Sequence, residues 1–293
     1  MLPKKENIPF LLGPEDAEKA CLIIHGFTGV ADEMRGLGES LAIRGIRTLG
    51  ITLAGHTDSP DDLALSTRED WIASTEAGLA ELAQYKQVYV AGLSMGGMLA
   101  LMLAAHHPER VAGVIALSTP TRFARSWMVS LAHPFVKWFY PYKPLDLRNP
   151  KIQKIYLNSQ TGQDENFTVD FTDPRVIAEI KGIRLSIAAL YELAQLLETG
   201  RAELGKLRCP LLMIHSKRDN AADPACANEL MKLASNARPK TLHWLQQSDH
   251  VITTGPEREE VFLLSWEFIH APLVAPSVWQ DPAATSSSGR AGA

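Results

Sequence analysis

Short, continuously apolar runs recur along this chain, each closed by a turn and followed by a longer stretch in which apolar residues return at helical spacing. Residues 20–24, 111–117 and 209–214 are apolar throughout, as strands buried on both faces of a parallel sheet must be. Further strands are expected at 46–51, around Val88, Tyr89 and Val90, and at 240–245, with a brief apolar run at Phe10 to Leu12. Helices are expected at 32–43, 67–84, just after Tyr89's strand, and at 256–269. The second of these opens on a capping-box pattern, with Glu69 three residues after Ser66. Strand and helix thus alternate, which predicts an α/β protein with a mostly parallel sheet.

The alternation stops at Pro120. From there to residue 176 the chain is punctuated by Pro120, Pro134, Pro141, Pro144, Pro150 and Pro174 and carries a dense set of aromatics, among them Phe123, Trp127, Phe135, Trp138 and Phe167. Proline removes a ladder hydrogen bond, so such a stretch makes poor sheet. It reads as a mainly helical insertion, 120–176, between two parts of a core, 1–119 and 177–272, with the return made by a helix at 177–197. Trp127, Leu131 and Phe135, spaced i, i+4, i+8, form an apolar stripe. The stripe is expected both to pack the insertion on the core and to roof a site, touching an acyl chain. Residues 273–293, rich in Pro, Ala, Ser and Gly, read as a disordered tail.

Composition narrows the function. With 46% hydrophobic and 21% charged residues in a chain of 293, the protein is an ordinary globular one. A net charge of −4 excludes an electrostatic footprint for nucleic acid and shows no basic stripe for an anionic membrane. No segment reaches the roughly 20 apolar residues of a membrane span. The run at residues 8–12, broken by Pro9, is too short for a signal-peptide core. Cys21, Cys209 and Cys226 lack metal-ligand spacing and read as buried and reduced, so a cytoplasmic protein without metal or cofactor is expected. The pair His106 and His107 sits at a helix end, where it complements the dipole.

Candidate chemistry centres on residues 88–103, VYVAGLSMGGMLALML, which read as strand, sharp turn and helix. Gly92, Ser94 and Gly96 fit G-x-S-x-G, in which the serine hydroxyl stands proud of the sheet on a strained turn. Ser94 is the candidate nucleophile, and it requires a base, an orienting carboxylate and oxyanion donors. The strand at 20–24 ends in His25, Gly26, Phe27, Thr28, Gly29, a glycine-bracketed loop at the carboxyl edge of the sheet. The backbone amides of Phe27 and Met95 are assigned to the oxyanion. His25 itself reads as a satisfied loop histidine. His250 follows the strand at 240–245 and is the candidate base. Of two carboxylates after residue 214, Asp223 precedes Pro224 and reads as a helix N-cap, leaving Asp219 without a structural task and available to orient His250.

The order Ser94, Asp219, His250 is that of the α/β hydrolases. The chain resembles the small bacterial carboxylesterases and monoacylglycerol lipases of that superfamily in HGFTG at 25–29, AGHTDSPDDL at 54–63, GLSMGG at 92–97, DNAADP at 219–224 and SDHVITTGPERE at 248–259. It departs from them at Asp249, where glycine is usual, at Thr57 of the Gly55-His56-Thr57 run, and at Ala222, where a larger aliphatic is common. The resemblance implies an α/β-hydrolase fold with helices on both faces of the sheet and an inserted cap. It also implies hydrolysis of short- to medium-chain acyl esters, monoacylglycerols among them, by an acyl-enzyme on Ser94 with no cofactor. A thioesterase or carbon–carbon hydrolase would use the same triad, and a non-catalytic binding protein could share the fold. Oligomeric state is open.

Overall fold

A computed structural model describes residues 7–57, 59–124, 126–159 and 169–271; the expected tail at 273–293 and Phe167 lie outside them. In chain order the elements are β1 (Phe10–Leu12), β2 (Lys19–Ile24), a 3-10 turn (Ala31–Met34), α1 (Arg35–Ala42), β3 (Arg47–Ile51), α2 (Pro60–Leu65), α3 (Arg68–Glu81), β4 (Gln87–Leu93) and α4 (Met95–His106). There follow β5 (Val111–Leu117), α5 (Ser126–Ala132), β6 (Trp138–Phe139), α6 (Pro150–Ser159), α7 (Pro174–Gly182), β7 (Leu185–Ser186) and α8 (Ile187–Glu203). The chain closes with β8 (Leu211–Ser216), α9 (Ala225–Leu233), β9 (Lys240–Leu245) and α10 (Arg258–His270).

Seven strands form one sheet in the order β1-β3-β2-β4-β5-β8-β9. Only β1 runs antiparallel, on β3; every other neighbour is parallel. The central strands β2, β4 and β5 are apolar and buried because both their faces are covered. On one face α3, α4 and α8 bury Trp71, Leu79, Met98, Leu99 and Leu196 against Leu22, Val90 and Val114. On the other, α1 and α10 bury Leu37, Leu41, Val261 and Ile269 against Ile23, Tyr89 and Ile115. Helix α4 is apolar all round and buried along most of its length, so the residue that opens it is held by the whole core.

Several expected boundaries move, each for a local reason. The helix placed at 67–84 is capped by Thr67, not Ser66, and the reciprocal partner is Asp70 rather than Glu69. An unforeseen helix, α2, follows from Ser59 capping and Pro60 at the first helical position. The helix expected at 177–197 is two. Asp173 caps α7, the chain leaves the helix after Gly182, and Ser186 restarts it by accepting the Ala189 N–H. In between, Leu185 and Ser186 pair antiparallel with Phe139 and Trp138, a tie to the inserted segment that apolar periodicity cannot reveal. Leu147 and Tyr156 of that segment are buried together with Ile180 of α7, apart from the two main cores.

Candidate active site

Ser94 links β4 to α4 with φ 55° and ψ −117°, a conformation costly for a residue bearing Cβ. Its N–H donates to the Leu117 carbonyl of β5 at 2.8 Å, and its carbonyl accepts from Gly97 N–H at 3.0 Å. Two glycines make the turn possible. A Cβ on Gly92 would collide with the Gly96 carbonyl, and one on Gly96 would collide with the carbonyl oxygens of Ile24, which ends β2, and of His25 just after it. The hydroxyl-bearing residue therefore stands at the carboxyl edge of the sheet and at the positive end of a buried helix.

His250 follows β9, and its Nδ1 lies 2.9 Å from both carboxylate oxygens of Asp219, after β8. In the neutral ring such a contact places the proton on Nδ1 and leaves Nε2 with its lone pair. Asp219 is only 7% exposed. Burial opposes its ionisation, but the His250 hydrogen bond and the N–H groups of Ala222 and Ala221 outweigh that, and its pKa falls below the ordinary carboxylate value. The two amides donate to Oδ1 at 2.8 and 2.9 Å, so Asp219 has a structural task after all: it closes the loop that it occupies. Asp223 accepts the Ala225 N–H at 2.8 Å, a capping contact made two residues before the first residue of α9.

Ser94 and His250 open onto one cavity of about 600 Å³. Phe27 lines it from the loop after β2; Phe123, Leu193 and Leu197 form an apolar wall. Met95 is the first residue of α4, so helix geometry gives its N–H no acceptor. The expected roofing stripe is elsewhere: Trp127, Leu131 and Phe135 are 67%, 67% and 84% exposed and are not among the residues that line this cavity. Helix α5 rests on α8 and turns these side chains outward, while α8 itself supplies the wall through Leu193 and Leu197. The spacing of Trp127, Leu131 and Phe135 was legible in the sequence, but not which face it served.

His25, His56, His106, His107 and His215 are held in other contacts of the fold. His25 is fully buried; Nδ1 donates to the Gly26 carbonyl, Nε2 accepts the Leu53 N–H, and burial pushes its pKa down to about 4. Next to it His56, also held neutral chiefly by burial, sits with ring centroids 4.9 Å apart. His106 and His107 pair with Glu203 and Glu76. His215 packs on Trp244 and its Nε2 donates to the Ala222 carbonyl, bracing the Asp219 loop from behind. Glu257 is a supporting residue that the motifs contained without revealing its task. Its carboxylate accepts the N–H groups of Gln246, Gln247 and Ser248 at 2.7 to 2.9 Å, and fixes the strand end that carries His250. Partial burial works against its charge, yet these bonds hold the pKa down to about 2.

A positively twisted serine at the strand–helix turn of a mostly parallel sheet, with a histidine and buried acid beside it in this chain order, defines an α/β hydrolase. Over residues 15–257 the chain belongs to the family described as serine aminopeptidase, S33. It is 28% identical to a thermostable monoacylglycerol lipase of Bacillus sp. (strain H-257), covering 90% of this chain and 97% of that one. To a carboxylesterase of Bacillus subtilis (strain 168) it is 24% identical over 86% and 92% of the two chains. Among solved structures it is similar to that reported for the metagenome-derived lipolytic enzymes LipS and LipT, with a TM-score of 0.73, 25% identity and coverage of 92% and 98%. The monoacylglycerol lipase of Paleococcus ferrophilus shares the fold, with a TM-score of 0.65 at 19% identity over 90% and 98%.

Proposed function

We propose that this carboxylic ester hydrolase cleaves short- to medium-chain acyl esters, monoacylglycerols among them, through an acyl-enzyme on Ser94. The observation that carries the proposal is the 2.9 Å contact of His250 Nδ1 with buried Asp219 beside the cavity that Ser94 enters. His250 Nε2 takes the Ser94 proton as the oxygen attacks the ester carbonyl. Asp219 holds the ring in the tautomer that makes this possible and stabilises the imidazolium. The Phe27 and Met95 amides hold the oxyanion. His250 then returns the proton to the leaving alcohol, and activates the water that cleaves the acyl-enzyme. No step calls for a cofactor.

The family description names an aminopeptidase, but esters are the better reading. The wall of Phe123, Leu193 and Leu197 suits an acyl chain, and the two relatives matched over most of their length are named for ester hydrolysis. Residues 120–176 act as the cap over this wall. We place the enzyme in the cytoplasm, in keeping with three buried free cysteines and with the lack, among the described residues, of any helix long and apolar enough to cross a membrane.

A panel of chromogenic acyl esters of increasing chain length, with monoacylglycerol and acyl-CoA alongside, tests the proposal. Esters should be turned over and Ser94→Ala should lose several powers of ten in rate while folding normally. Retention of more than about a hundredth of the rate would point to another nucleophile, and preference for acyl-CoA would make the protein a thioesterase.

A further inference from the structure

The cavity that Ser94 enters has two unlike sides. Phe123, Leu193 and Leu197 belong to the core on the α3, α4 and α8 face of the sheet. Val251, which follows His250, packs on the core of the α1 and α10 face, and Ala31 and Met34 of the 3-10 turn are part of that same core. Between Ala31 and Met34 stands Glu33, the one carboxylate among the described residues that line the cavity. Glu33 belongs to neither the triad nor the oxyanion pair.

This carboxylate is built into the site. Glu33 is only 5% exposed, and its backbone carbonyl accepts from Thr253 Oγ1 at 2.8 Å, which ties it to the loop that carries His250. Gly29 makes room for its side chain: a Cβ there would stand 2.5 Å from Glu33 Oε2 and 3.1 Å from the Gly26 carbonyl oxygen. The backbone at Gly29 is not left-handed, so the glycine serves this close approach rather than a turn conformation. The carboxylate thus lies beside the loop whose Phe27 amide is assigned to the oxyanion. Proton transfer fixes where an alcohol leaves. His250 gives its proton to the leaving oxygen, so the alcohol lies on the His250 side of the carbonyl while the acyl chain takes the apolar wall. That is the side on which Glu33 stands. A carboxylate is an acceptor only, with about four lone-pair sites on its oxygens, so it can take a further donor whatever else it holds. In a buried site it favours an alcohol whose second hydroxyl reaches it over one that ends in a methyl group.

We propose that Glu33 is a specificity-determining residue for the leaving group, selecting esters of polyhydric alcohols by accepting a hydrogen bond from a second hydroxyl of the alcohol. The assignment rests on the ester reading and supplies what that reading leaves open, the residue that recognises the alcohol half of the substrate.

The test holds the acyl group constant and varies the alcohol. Butyrate monoesters of 1-propanol, 1,3-propanediol and glycerol differ only in hydroxyl groups, and kcat/KM is measured for each with the full-length wild type, Glu33→Gln and Glu33→Leu. Ratios are taken within each protein, so a general loss of activity or stability cancels, and comparing ratios between proteins cancels the intrinsic reactivity of each ester. The wild type should favour the glycerol ester over the propyl ester by about tenfold or more, the size expected of a hydrogen bond to a charged group. Glu33→Gln should cut that ratio severalfold, because a neutral amide oxygen is the weaker acceptor, and Glu33→Leu should erase the preference. The diol ester should fall between the other two. If Glu33→Leu does not fold, Glu33→Gln decides. A ratio unchanged in Glu33→Gln, or a wild type that does not favour the hydroxylated esters, overturns the proposal and leaves the ester reading standing. Failure to turn over any ester, the chromogenic ones included, overturns both.

Discussion

Two aspartates four residues apart show how similar side chains take different work. Asp219 is buried, ionised and bonded to His250 Nδ1, whereas Asp223 accepts an amide at a helix start on the surface. Asp219→Asn should leave a folded protein whose turnover is lower by orders of magnitude, because an amide no longer imposes the tautomer that leaves Nε2 free. It should also loosen the loop slightly, since Oδ1 accepts two amides, although an asparagine oxygen can keep those bonds. Asp223→Asn should be nearly silent, and Asp223→Ala should cost about 1 kcal/mol in denaturant unfolding with turnover kept. If Asp223→Asn abolishes turnover and Asp219→Asn does not, the acid has been assigned to the wrong residue.

At the scale of elements, α8 and α5 divide the labour that the sequence alone seemed to give to one stripe. Leu193 on α8 faces the cavity, whereas Phe135 after α5 faces outward. Leu193→Ala should therefore move the preferred acyl chain toward greater length, each further buried methylene contributing about 0.8 kcal/mol, or about fourfold in kcat/KM. Phe135→Ala should leave that profile where it is. Profiles measured across a chromogenic ester series decide the matter, and a shift by Phe135→Ala alone would return the acyl site to the outer stripe. The apolar spacing of α5 was readable at once. Its direction was not, because a helix with an exposed apolar face and one with a buried face have the same periodicity.

The whole molecule is built around neutral histidines as well as a charged dyad. His25 and His56 sit side by side under the loop that follows β2, and burial lowers their pKa values to about 4 and about 3. A folded pKa below the unfolded value of about 6.5 means that the unfolded chain binds more protons on the acid side. Their contribution is complete above about pH 6.5 and is lost as the pH falls toward 4, the loss at pH 5 being about 2 kcal/mol for His25. The depressed carboxylates Asp219 and Glu257 work in a lower window, since their contribution is full above the ordinary carboxylate pKa and is lost as the pH falls through it toward their own depressed values. Urea midpoints should therefore fall between pH 7.5 and 5, above the pH at which Asp219 and Glu257 protonate in the folded state. A flat profile over that interval would mean that these rings are hydrated in solution.

The sequence by itself determined the parallel sheet, the strained serine turn and the order of serine, acid and histidine. Each is encoded locally: by strands apolar on both faces, by glycines where a Cβ would strike a neighbouring carbonyl, and by residues placed at strand ends. Tertiary structure decided what depends on distance across the fold. The break between α7 and α8 follows from Leu185 and Ser186 pairing with a strand almost fifty residues earlier in the chain. The brace that Glu257 provides joins the start of α10 to the end of β9, a partnership that no periodicity carries. The choice of Leu193 over Phe135 as cavity wall is settled by which helix packs on α4 and which lies on that helix's outer side, a matter of layer order rather than of spacing.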